Sequence, residues 1–167
     1  MRGPLPTGSD WVLELGAGAY STFVLHEACR GRQHLVTIET DQKWLVQFEG
    51  LASPEHELHF LKLTNHFDNT GQCSGEDFAR WDACLHVDPP PGRRWGIVLV
   101  DHRPGERRKH EIGRLSQSAN LIVVHDTEEA GYEYEPVLQS FKHRYDYKLH
   151  RPWTTIVSNF DPLAWLK

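Results

Sequence analysis

The sequence predicts an α/β fold, a doubly wound parallel sheet with helices on both faces, and three observations carry that reading. Trp11–Leu15, Trp95–Val100 and Leu121–Val124 are short, mostly apolar runs that stop at Gly16, Asp101 and His125-Asp126. Runs of that length, bounded by turn residues, mark strands covered on both sides. Between them lie segments with apolar residues three and four apart, so strand and helix alternate, and alternation requires crossovers that lay helices on the sheet. Finally, Gly16-Ala17-Gly18 follows the first run, and Glu39 ends the second run 23 residues beyond Gly16. That is the spacing of a nucleotide-type cradle and an acidic ribose acceptor.

Residues 1–10 contain Gly3, Pro4, Pro6 and Gly8 and read as a flexible lead into the first strand, Trp11–Leu15. Gly16 and Gly18 lack a Cβ, so the chain can turn tightly and a flat ligand can approach its N–H groups. Ser21 or Thr22 is placed to cap the next helix, with Phe23, Val24, Leu25 and Ala28 as its sheet-facing side. His34–Glu39 is the second strand. Residues 41–51 form a second helix capped by Asp41, with Trp44, Leu45, Phe48 and Leu51 near helical spacing. Leu58–Leu63 reads as a third strand. Between Thr64 and Arg94 the pattern loosens into a loop, a helix over 76–86 and a stiff exit at Pro89-Pro90-Pro91-Gly92. Trp95–Asp101 is the fourth strand, and Pro104 opens a helix whose inner face is Ile112, Leu115 and Ala119. Leu121–Thr127 is the fifth strand. A helix from Glu128 to Arg144 and closing strands at Tyr145–His150 and Thr154–Asn159 complete the chain.

Gly16-Ala17-Gly18-Ala19-Tyr20-Ser21 departs from the dinucleotide fingerprint at its sixth position, which disfavours an NAD-type oxidoreductase. Glu14-Leu15-Gly16-Ala17-Gly18 instead resembles the first motif, acidic-x-Gly-x-Gly, of the class I S-adenosylmethionine-dependent methyltransferases. Thr37-Ile38-Glu39-Thr40-Asp41-Gln42-Lys43-Trp44 is similar to the segment of that superfamily in which an acidic residue precedes an aspartate and an aromatic-bearing helix. The resemblance covers nearly the whole chain. It implies one domain over residues 1–167 with a Rossmann-like sheet of about seven strands, mostly parallel with the last antiparallel. It also implies S-adenosylmethionine as cofactor, held by Glu14, Gly16, Ala17, Gly18, Ser21, Thr22, Glu39, Thr40, Asp101 and His102, with Phe67 and Asp68 bordering the adenine. Many relatives carry helices ahead of the first strand that cover the cofactor, so this chain is expected to have a site that is open or closed by a partner.

Val100-Asp101-His102 and Val124-His125-Asp126-Thr127 resemble strand ends in a branch of O-methyltransferases. In some of those enzymes acidic residues at these places hold a divalent cation that lowers the pKa of an acceptor hydroxyl. Two carboxylates suit a magnesium ion, with Glu128 or His125 as a possible further ligand. Without an evident third ligand the metal-free version is preferred. His125, Asp126 and Asp101 are then the catalytic candidates, with His125 as general base and His102 as a second candidate base, because imidazole titrates near neutrality. In the metal-free version Asp101 contacts the cofactor and Asp126 caps a helix.

Composition narrows the function classes. Apolar residues make up 39% and charged residues 25% of 167, as in globular domains. The three cysteines, Cys29, Cys73 and Cys84, are odd in number and form no Cys-x-x-Cys, so neither a disulfide framework nor a zinc ribbon is expected. The histidine segments 26–30 and 56–59 miss the His-Glu-x-x-His spacing of a zinc helix. No apolar run is long enough for a membrane span and no signal segment opens the chain, so a cytoplasmic setting is expected. A net charge of −5 disfavours a nucleic-acid partner. The basic run Arg103, Arg107, Arg108, Lys109 and Arg114 reads as a solvated helix face or a grip on an acidic substrate, and Tyr132, Tyr134, Trp153 and Trp165 as core, surface or stacking residues. The expected activity is methyl transfer to an oxygen of a small molecule or saccharide. A non-catalytic cofactor-binding subunit and a nucleic-acid methyltransferase are the rivals, and the oligomeric state is left open.

Overall fold

The computed structural model describes residues 11–63, 76, 79, 80, 89 and 91–166. Seven strands, β1 (Trp11–Leu15), β2 (His34–Glu39), β3 (His56–Phe60), β4 (Trp95–Val100), β5 (Ala119–His125), β6 (His143–Tyr147) and β7 (Thr154–Ser158), form one sheet in the order β3-β2-β1-β4-β5-β7-β6. The first five pair in parallel, and β7 runs antiparallel to both β5 and β6. The chain moves outward from β1 to β3 and resumes at β4 on the other side of β1. The order therefore reverses between β1 and β4, which opens a crevice at their carboxyl ends.

Helices α1 (Ser21–Cys29), α2 (Gln42–Leu45), α3 (Arg108–Leu115) and α4 (Glu135–Leu138) connect the strands. The larger apolar cluster joins Leu13, Leu15, Val36, Ile38, Val98, Val100, Ile122 and Val124 to Ile112 and Leu115 of α3 and Leu138 of α4. On the other face a smaller cluster of Val12, Leu35 and Cys29, with Leu25 against it, underlies α1. Among the described residues no helix is long and apolar enough to cross a membrane.

Several elements differ from the sequence expectation. Helix α1 turns Thr22, Leu25 and Cys29 toward the sheet, leaving Phe23 and Val24 47% and 65% exposed. The cause is polar: the Thr22 hydroxyl donates to the buried carboxylate of Glu14, and this fixes the helix rotation. Neither Ser21 nor Thr22 caps α1, whose N-cap position is Tyr20 with no side-chain cap bond. Asp41 does cap α2, accepting from the Lys43 and Trp44 N–H groups, but α2 passes into a 3-10 segment at Val46–Leu51. Strand β3 starts two residues early, at His56, whose ring is drawn inward to Thr37. The long helix expected after Glu128 is reduced to α4, because Glu133 takes a left-handed conformation (φ 50°) that interrupts helical backbone. Glu76, Ala79 and Arg80 are helical, and the rest of the expected 64–94 segment up to residue 90, with Phe67 and Asp68, lies outside the described residues apart from Pro89.

Candidate functional site at the carboxyl ends of the strands

The turn after β1 is shaped by Gly16, at φ +93°. A Cβ there would stand 2.6 Å from the Asp101 carbonyl oxygen and from the His102 N and Cα, so the end of β1 and the end of β4 are in backbone contact through this residue. The Gly16 N–H donates to the Ile38 carbonyl (2.9 Å), and the Asp101 N–H donates to the Leu15 carbonyl (2.8 Å). Three strand ends are thereby sewn to one glycine turn.

Two carboxylates brace that turn from opposite sides. Glu14, with no exposed surface, accepts from the hydroxyls of Ser21 (2.7 Å), Thr22 (3.0 Å) and Thr37 (2.8 Å). Thr22 Oγ1 in turn accepts the Gly18 N–H at 2.9 Å. Burial pushes the Glu14 carboxyl up to about 7 against the pull of these donors, so it titrates near neutrality. Glu39 closes the other side. Its Oε2 accepts the Ala17 N–H at 2.8 Å, and its Oε1 accepts the N–H groups of Thr40 (2.6 Å) and Asp41 (2.8 Å) and the Thr40 hydroxyl (3.3 Å). Trp44 of α2 completes the clamp by donating its indole N–H to the Ala17 carbonyl at 2.6 Å.

Glu14, Gly16, Ala17, Gly18, Ser21, Thr22, Glu39 and Thr40 therefore meet in one place, with unequal parts. Glu14 and Thr22 have no surface to offer a ligand and hold the turn from behind. Glu39 is 7% exposed, and its Oε2 accepts one described bond, leaving a lone pair for an outside donor.

Behind the turn runs a buried hydrogen-bond chain that the sequence did not reveal. His26 Nδ1 lies 3.0 Å from His56 Nδ1, His56 Nε2 lies 3.0 Å from Thr37 Oγ1, and Thr37 donates to Glu14. Since Thr37 has one proton and gives it to Glu14, His56 must donate from Nε2 and accept at Nδ1 from His26. Burial, with His26 and His34 nearby, holds His56 down at about 4, which keeps it neutral as this arrangement requires.

The second group sits at the ends of β4 and β5. His125 Nδ1 lies 3.0 Å from Asp126 Oδ1 and 3.3 Å from Asp101 Oδ1. Contact with Asp101, helped by the charge of Asp126, raises its imidazole above the ordinary histidine range despite opposing burial. Arg108, the first residue of α3 and 4% exposed, reaches both acids: Nη2 lies 3.0 Å from Asp101 Oδ1 and Nη1 3.2 Å from Asp126 Oδ2. Its Nε donates to the His102 carbonyl at 2.7 Å and its Nη2 to the Asp101 carbonyl at 3.0 Å. Burial would lower this guanidinium, but Tyr134 and Asp101 outweigh it and its pKa is raised.

Two expectations change here. Asp126 starts no helix; it sits in a left-handed turn and accepts from Arg108. His102 is 1% exposed, and burial followed by the Arg108 charge pushes its imidazole well below the usual range, so its ring is enclosed and neutral. The basic run is a solvated face only in part, with Arg103 and Arg114 exposed. Arg107 and Arg108 are buried, and Arg107 and Arg114 hold the fully buried Glu111 at 2.7 and 2.8 Å. The spacing of Arg108 with Ile112 and Leu115 on one helical stripe was the available signal. Of the aromatic candidates, Tyr132 packs under the Arg108 guanidinium at 5.1 Å and Trp153 carries Lys148 at 5.1 Å.

The fold of this seven-stranded sheet is shared with solved methyltransferases. The O-methyltransferase TomG from Streptomyces achromogenes, in complex with SAM, superposes with a TM-score of 0.62 at 14% identity, over 90% of this chain and 73% of that one. Cofactor-bound Rv0187 from MTB gives 0.60 at 14% identity, over 92% and 74%. This chain has the class I methyltransferase fold. The N-terminal domain of human METTL16 in complex with SAH also shares that fold, with a TM-score of 0.56 at 13% identity over 92% of this chain and 62% of that one. No protein-family model and no curated protein matches the sequence.

Proposed function

We propose that this chain is an S-adenosylmethionine-dependent methyltransferase acting on an oxygen of a small molecule or saccharide. One observation carries the reading: the Ala17 N–H is bonded to Glu39 Oε2 at the point where the strand order reverses, so glycine turn and acidic acceptor form one cradle. The residues fit the cofactor. Gly16 lets the turn close against the Asp101 and His102 backbone, where a Cβ would collide, and Glu39 keeps a lone pair for a ribose hydroxyl. Gly16, Ala17, Gly18 and Glu39 would hold it, with Asp101 beside them. When bound, S-adenosylmethionine supplies an electrophilic methyl group on a sulfonium.

The protein's own part is to align an acceptor and take its proton. His125 is 33% exposed, and two carboxylates lie within ion-pair distance of its Nδ1, so that Nε2 can act as the base. The name of TomG supports oxygen as the receiving atom. The test is calorimetry with S-adenosylhomocysteine followed by methyl transfer to a panel of hydroxyl acceptors. Binding plus transfer, at a rate that climbs with pH through a value above 6.5 and is lost in His125→Ala, is the expected result. Stabilisation by NAD with no effect of S-adenosylhomocysteine would overturn the reading, and binding without transfer to any acceptor would reduce the chain to a binding subunit.

A further inference from the structure

The ligand atoms of Asp101, His125 and Asp126 lie within 4.8 Å of one another, a spacing compatible with a shared cation. The donor set does not fit a divalent metal, because a cation already belongs to it. Arg108 spends its whole fork on this point. Nε and Nη2 bond the backbone carbonyls of His102 and Asp101, Nη2 also pairs with the Asp101 carboxylate, and Nη1 pairs with Asp126 and reaches the Tyr134 hydroxyl at 3.4 Å.

The side chain is fixed from behind as well. Tyr132 stacks against it, and Arg108 shares the buried stripe of α3 with Ile112 and Leu115. A divalent ion would have to displace a buried guanidinium from five contacts, or accept a like charge beside it with two carboxylates already half neutralised.

We infer that Arg108 is the resident cation of this carboxylate pair: it stands in charge and position where a divalent ion would stand and holds Asp101 and Asp126 around His125 without metal. Planar, bidentate geometry suits that task, since each arm of the fork addresses a different strand end. Arg108 is thus a positioning residue for His125. The inference rests on the methyl-transfer reading for the use made of His125, whereas the cation assignment concerns this chain's residues and is tested without cofactor or acceptor.

The experiment is titration of Mn²⁺ followed by the paramagnetic resonance signal of the free ion. It uses the wild type, Asp126→Asn, Arg108→Ala and Arg108→Ala/Asp126→Asn. Wild type is expected to leave the free-ion signal undiminished. Arg108→Ala should bind one ion roughly a hundredfold or more tightly than wild type, because removing a unit charge a few ångströms away relieves the repulsion. That binding should disappear in the double variant and be competed by guanidinium below denaturing concentrations. A wild-type protein that binds Mn²⁺ and releases it in Asp126→Asn would overturn the inference, and this comparison stands even where Arg108→Ala fails to fold. A folded Arg108→Ala that binds no ion would overturn it equally. Failure of S-adenosylhomocysteine to bind would sink the proposed function and leave the Mn²⁺ result intact.

Discussion

The two halves of the crevice solve the same problem, carboxylates packed against backbone, in opposite ways. At the end of β1 and β2 the acids are met by neutral donors: three hydroxyls on Glu14, and three N–H groups and a hydroxyl on Glu39. At the end of β4 and β5 the acids meet a full positive charge on Arg108. Neutral donors do not compensate a buried charge completely, and Glu14 is accordingly pushed up to about 7. An arginine pays that cost directly, and it ties two strands together while leaving both acids over a quarter exposed. The first half is held by neutral donors; the second is held by a charge carried on a helix.

The comparison can be broken most severely at Arg108. Removing one partner of a buried ion pair typically costs about 3–5 kcal/mol, so Arg108→Met should lower the urea midpoint by the largest step of this series. Gly16→Ala comes next on the neutral side. The left-handed backbone and the overpacking against Asp101 and His102 together predict a loss of about 3 kcal/mol. A Gly16→Ala protein of unchanged stability would show that the turn relaxes freely.

Glu14 sharpens the contrast through pH. Its folded-state value is raised from 4.5 to about 7, so the stability it contributes is complete below 4.5 and is lost as pH rises through about 7. The size is on the order of 3 kcal/mol. His56 acts oppositely: lowered from 6.5 to about 4, it contributes fully above 6.5 and loses that contribution as pH falls through about 4. Between 4.5 and 6.5 the two slopes offset each other in wild type. In Glu14→Gln the offset is gone, and stability should rise with pH across that window in urea unfolding at a series of pH values.

Glu39→Gln tests the ligand side. It keeps a carbonyl acceptor for part of the backbone cluster but loses the charge, and affinity for S-adenosylhomocysteine should fall roughly ten- to a hundredfold, the equivalent of ~1.5–3 kcal/mol. An unchanged dissociation constant in calorimetry would reject the ribose assignment. Glu39→Ala is the poorer probe, since it strands the N–H groups of Ala17, Thr40 and Asp41. The smallest effect is expected from Trp44→Phe, which keeps the ring and removes the bond to the Ala17 carbonyl, for about 1 kcal/mol of thermal stability.

What the sequence determined by itself was the alternation and the cradle. Apolar runs ending in Gly16, Glu39, Asp101 and Asp126 specify parallel strands and the edge at which they deliver side chains, because burial on both faces and tight turns are local demands. Tertiary structure decided the rest. The rotation of α1 followed from a hydroxyl meeting Glu14 across the turn, a contact whose energy outweighs the weak amphipathicity of that helix. Breaking of the expected helix after Glu128 followed from a left-handed residue at Glu133, which composition does not announce. Arg108 is the clearest case. In sequence it is one of a basic run, and its role arises when α3 packs on β4 and β5 and brings residues 101, 102, 126 and 134 to one guanidinium. A charge is placed by what it can be buried against, and that partner list is written in three dimensions.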